Sequence, residues 1–213
     1  MKILSETIAL EKLHELKTAF AETITTGYGH RAKNCLTCET QGACCLDAHF
    51  VNVHITRLEA AAIESVMTGW TEERRHVVQK RIEHAIAVYE LDADGETFSK
   101  TYACPLFEKG IGCLVHKRGK PLACIAHGCY ENKEDLPPDD LLTEQEGLVE
   151  KLNELTYQKP ATWLPLPIAV RLSGLLHFST EDGDRDQHSE KNDVIPDRKI
   201  APGHRLNKDP EEQ

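Results

Sequence analysis

The stretch Asn34–Cys45, NCLTCETQGACC, decides how this chain is read. Four of the chain's eight cysteines, Cys35, Cys38, Cys44 and Cys45, fall within eleven residues there. Two cysteines separated by two residues can turn their sulfurs toward one point while the intervening amides hydrogen-bond the thiolates. That geometry suits tetrahedral zinc or an iron site, and Cys35 and Cys38 have the spacing. Cys44 and Cys45 are adjacent. Neighbouring side chains of extended backbone point to opposite sides. One of the pair is therefore expected to face the first site, and the other a second site or the core. Holding one ion with both needs a sharply bent backbone.

The remaining cysteines, Cys104, Cys113, Cys124 and Cys129, are separated by eight, ten and four residues and contain no CxxC pair. Together the groups supply donors for two four-ligand sites, or for one site plus spare thiols. All eight cysteines are taken as candidate metal ligands, with Cys124 and Cys129 alternatively a redox pair. His30, His49, His116 and His127 lie near cysteines, and imidazole is a good zinc or iron ligand. Each taken singly reads as an ordinary surface or core histidine. Residues 27–48, with Gly27, Gly29 and Gly42 among polar neighbours, cannot bury a continuous apolar face. Bound metal is the candidate for ordering them.

Composition narrows the class. The 213 residues suit one domain with appendages, and 40% are hydrophobic but only 6% aromatic. The core is therefore expected to be built from Leu, Ile, Val and Ala. The net charge of −10 argues against a nucleic-acid partner, which needs a basic face. No stretch approaches the roughly 20 apolar residues of a membrane span, and the amphipathic N-terminus lacks the apolar run of a secretory signal. The expected location is the cytoplasm, where thiols stay reduced and cysteine clusters serve metals or catalysis.

The coarse reading is a mainly α protein: a small helical domain with irregular cysteine-rich loops and a few short strands. Residues 1–33 form an N-terminal amphipathic helix and loop. The helix runs over Ser5–Thr26, with Ile8, Leu13, Leu16, Phe20 and Ile24 on one face and Gly27 as a left-handed cap. Residues 34–135 form the cysteine-cluster metal-binding unit. It contains a strand over Phe50–Ile55, a helix opened by a Thr56/Glu59 capping box, and a longer helix from Thr71 with Val78, Ile82, Ala85, Ile86 and Tyr89 inward. Residues 136–178 hold a helix over Leu141–Leu155, with Leu141, Leu148, Leu152 and Leu155 inward, and a short helix over Pro167–Leu176. From Ser179 the sequence turns polar and charged, as disordered tails do.

Three pieces resemble the YkgJ-type cysteine-cluster family, described as a zinc- or iron-chelating domain. They are the CxxC followed by a CC at Cys35–Cys45, Cys104-Pro105-Leu106, and Cys113-Leu114-Val115-His116 leading to Pro121-Leu122-Ala123-Cys124. The likeness spans Asn34 to Cys129. His116 stands where an aromatic is usual, and Lys120 where arginine precedes the proline. The resemblance implies thiolate-bound zinc or iron. Some larger proteins with a similar cluster are flagellin lysine methylases, which makes protein modification an implied alternative.

Three functions follow as expectations. The first is a metal-binding protein whose zinc or iron orders the fold, acting structurally, in regulation through a protein partner, or in metal handling. The second is an enzyme, either an iron–sulfur redox protein or a metal-assisted modifying enzyme, with Glu108, Glu131 and His127 near the cysteines in sequence. The third is a thiol-redox protein using Cys124 and Cys129. No nucleotide loop, dinucleotide fingerprint, nucleophile elbow or HExxH motif is present.

Overall fold

A computed structural model describes residues 3–33, 41–46, 51–94, 98–130 and 132–181. The chain is mainly α. Helix α1 (Glu6–Gly27) opens where the Ser5 hydroxyl accepts the Ile8 amide. Its buried face is Ala9, Leu13, Lys17, Phe20 and Ile24. Ile8, expected inside, is 46% exposed. Gly27 is the last helical residue rather than a left-handed cap; Tyr28 takes the cap position at φ −132°.

The expected strand over Phe50–Ile55 contracts to β1 (His54–Ile55), and Phe50 lies outside the described residues. The partners of residues 51–53 come from elsewhere. Tyr102 donates its amide to the Val51 carbonyl, and its hydroxyl, together with the Leu166 amide, donates to Val53. Helix α2 (Arg57–Met67) then starts at Thr56, whose hydroxyl accepts the Glu59 amide. Only that half of the capping box forms, because the Glu59 carboxylate is used elsewhere. Helix α3 (Glu72–Val88) is capped by Thr71 and buries Val78, Ile82, Ala85 and Ile86, with Tyr89 at its C-cap.

A two-residue hairpin follows, β2 (Phe107–Glu108) antiparallel to β3 (Gly112–Cys113), with Phe107 opposite Cys113. Arg74 and Arg81 of α3 hold Glu108 at 3.9 and 3.8 Å, and Arg81 also donates to the Phe107 carbonyl. Helix α4 (Leu122–Ala126) is one short turn and a half. Helix α5 (Asp139–Tyr157) begins directly after Pro138 and buries Val149 and Asn153 rather than Leu148, which is 44% exposed. Strand β4 (Leu164–Pro165) pairs antiparallel with β1, Ile55 opposite Leu164. Helix α6 (Leu166–Glu181) outruns the expected Pro167–Leu176 and takes in residues assigned above to the tail.

Two cores result. One joins α2, α3, α6 and the β1–β4 pair, with Ile55, Ile63, Val78, Tyr102, Leu106 and Ile168 inside. The other joins α1, α2, α4 and α5 around Leu13, Leu58, Leu122 and Val149. Among the described residues no helix is long and apolar enough to cross a membrane.

Gly147 tests the reading of α5. It is exposed mid-helix, and nothing lies within 4 Å of where a side-chain methyl would stand. Gly147→Ala is expected to raise stability by about 0.5–1 kcal/mol, seen as a higher thermal midpoint.

Candidate metal centre

The two cysteine segments meet through backbone. The Cys104 amide donates to the Cys45 carbonyl at 2.9 Å. Farther along, the Lys33 amide donates to the Cys129 carbonyl at 2.8 Å, beside the bridge between Ala32 and Tyr130. The second cysteine region thus grips the first on both sides. Cys35 and Cys38, with His49 and Glu131, lie outside the described residues.

Residues 41–46 owe their shape to Gly42. Its φ of +80° is in the left-handed region, and a methyl added there would stand 1.8 Å from Phe107 Cζ. The glycine therefore lies flat against the ring, and only glycine satisfies both conditions. The following Ala43–Cys45 is a 3-10 turn, with the Cys45 amide bonded to the Gly42 carbonyl at 2.8 Å. Contrary to the extended-backbone expectation, this is the sharp bend that turns adjacent cysteines to one side. Cys44 Sγ and Cys45 Sγ are 4.0 Å apart. A tetrahedral ion with sulfurs at about 2.3 Å separates any two of them by about 3.8 Å. The pair therefore has the span of two ligands on one ion.

The other sulfurs approach from three elements. Cys104 precedes the hairpin, Cys113 sits on β3, and Cys124 sits on α4. These three, with Cys44, Cys45 and Cys129, line one cleft of about 1580 Å³. Cys44 and Cys129 also line a smaller, largely apolar cavity of about 500 Å³, with Phe20, Leu141 and Leu142 among its walls. All six described cysteines are free thiols and none is fully exposed. Among the described residues, no three His, Cys, Asp or Glu side chains stand close enough together to hold an ion. The arrangement is a two-sulfur half-site with further thiols ranged around the same cleft.

The thiols' titration follows from this crowding. Burial pushes Cys104 up to about 12. It also raises Cys124, where the neighbouring Cys104 and Cys113 add repulsion, and it raises Cys113. In the adjacent pair, the hydrogen bond between the two thiols lowers Cys44 to about 6, helped by His127 and Lys120, and holds Cys45 high. The donor chemistry fits zinc or iron, since soft thiolates select those ions. Among the nearby histidines, His127 and His116 line the cleft, whereas His30 accepts a hydrogen bond from Arg31.

Sequence reasoning missed Lys17 and its pairing with Glu59. Lys17 Nζ lies 2.8 Å from Glu59 Oε1, with side chains 8% and 1% exposed. The same oxygen accepts the Leu122 amide at 3.1 Å, where α4 begins. One carboxylate thus ties α1, α2 and the helix carrying Cys124. The signal was legible: Lys17 falls four residues after Leu13 on the apolar stripe of α1, where a solvated lysine does not belong.

Comparison of the sequence with family models gives no match, and comparison with curated proteins and with solved structures gives none either.

Proposed function

We propose that this chain is a metal-binding protein of the YkgJ type, in which thiolates hold zinc or iron and the ion completes the order of the cysteine loops. The observation that carries the reading is the 4.0 Å separation of Cys44 and Cys45 within a turn hydrogen-bonded to the second cysteine region. These two would hold the ion, with Cys104, Cys113 and Cys124 lining the same cleft as further donors. Bound there, the ion would supply the cross-link that a few backbone hydrogen bonds otherwise provide alone. Metal analysis of protein purified without a histidine tag tests the reading, and about one or two equivalents of zinc or iron are expected. Metal-free protein with the same circular dichroism and thermal midpoint would end it.

One observation favours a second reading. The thiols line an open cleft rather than a closed interior. Catalytic metals keep an open position, whereas structural ones are fully enclosed by protein ligands. An iron–sulfur redox protein or a metal-assisted modifying enzyme fits that opening. Anaerobically purified protein separates the two: a brown, visible-absorbing sample supports thiolate-bound iron, and a colourless zinc-loaded one supports the first reading.

A further inference from the structure

The described walls of the large cleft are electrostatically one-sided. Acids outnumber bases 35 to 25 in the chain, yet the described residues of this wall include five bases and no acid. Burial alone does not produce that asymmetry, because it disfavours charges of both signs. Two of the bases are already paired, Lys17 with Glu59 and Arg74 with Glu108. The other three, Lys117, Arg118 and Lys120, fall in one turn after Cys113 and have no ion-pair partner among the described residues. Lys117 and Arg118 are exposed at the rim.

That turn is held in place. Gly119 has a φ of +86°, and a methyl added to it would meet Ile63 Cα at 3.3 Å and the Ala62 carbonyl at 3.4 Å. The turn is therefore seated on the backbone of α2, and its cations are presented from a fixed base. Below the rim the wall is largely apolar, with Leu13, Val66, Leu106 and Leu114 among its residues.

We infer that this cleft is a docking groove for an acidic segment of a partner polypeptide, with Lys117 and Arg118 as its electrostatic rim. Charge complementarity of this kind steers association and fixes register. The volume of about 1580 Å³ exceeds the roughly 300–1,000 Å³ of small-molecule pockets, and the apolar floor suits side chains rather than a free inorganic anion. A nucleic acid is the poorer occupant, because it needs a broad basic face, whereas the rim bases here are confined to one turn above an apolar floor. The inference goes beyond the metal reading and does not depend on it, since neither rim residue is a candidate ligand.

The test is fluorescence anisotropy on the purified full chain with three labelled probes: a peptide alternating glutamate and leucine, one alternating lysine and leucine, and a single-stranded oligothymidine. The acidic peptide is expected to bind best and to weaken with added salt, as rim charges are screened. The double variant K117E/R118E is expected to lose about tenfold or more in affinity, while K151E, on the exposed side of α5, leaves it unchanged. Metal content of the double variant should equal that of the wild type, which keeps this result separate from the metal reading. Absence of acidic-peptide binding, equal binding of the basic peptide, tighter binding of the oligonucleotide, or undiminished affinity in the double variant would each overturn the inference. The salt titration needs only wild-type protein, so it remains decisive if the variant misfolds.

Discussion

Glu59→Ala is expected to destabilise the chain by about 3–5 kcal/mol, the usual cost of stranding one partner of a buried ion pair. Lys17 would be left in the interior with no counter-charge, and the Leu122 amide at the start of α4 would lose its acceptor. Lys17→Met is expected to cost less, because the remaining carboxylate keeps the Leu122 hydrogen bond. The double variant Lys17→Met/Glu59→Gln removes both charges and keeps an acceptor, so most of the loss should return. Urea unfolding followed by far-ultraviolet circular dichroism measures all three. A loss under about 1 kcal/mol for Glu59→Ala would place the pair in a solvated setting and contradict the burial described here.

The second large effect concerns the cysteine turn. On the metal reading, Cys45→Ser and Cys44→Ser should each remove about one equivalent of bound metal and lower the thermal midpoint. The apparent free energy of a structural zinc site, about 10–16 kcal/mol, matches or exceeds the whole stability of an ordinary domain, about 5–15 kcal/mol. Gly42→Val is the companion experiment. It touches no sulfur, but the Phe107 ring occupies the space a side chain needs. Loss of metal there too, measured by elemental analysis, would tie the ion to the shape of the turn as well as to its thiols. If serine at both positions leaves metal content unchanged, the half-site is not where the ion sits.

Much of the fold was legible because its long helices carry local signals. Thr56 caps its helix as expected, Ser5 and Thr71 stand where their helices were expected to start and serve as caps, and the stripe from Val78 to Ile86 is buried. The strands were legible only as short extended segments. Two-residue strands are too brief to establish a period, and the β1–β4 pairing joins positions about a hundred residues apart. On α5, Leu141 and Leu152 pack on the core as expected, but tertiary contacts chose Val149 and Asn153 over Leu148, Asn153 accepting the Leu58 amide. At the site, the CxxC and CC spacings pointed to thiol chemistry. The bend that aligns Cys44 with Cys45 depends on an aromatic ring sixty-odd residues away, and spacing alone does not encode it. The basic wall likewise exists only once segments distant along the chain are folded together, with Lys17 on α1, Arg74 on α3 and Lys117, Arg118 and Lys120 in the turn after β3.

The hydrogen bonds that fasten the cysteine segments connect Cys45 with Cys104 and Lys33 with Cys129, partners distant along the chain. Contacts of that kind form after local helices, because closing long loops is slow. The thiol cleft is therefore expected to assemble late in folding, and a nascent chain would expose its sulfurs to oxidants or to stray ions before the helices could shelter them.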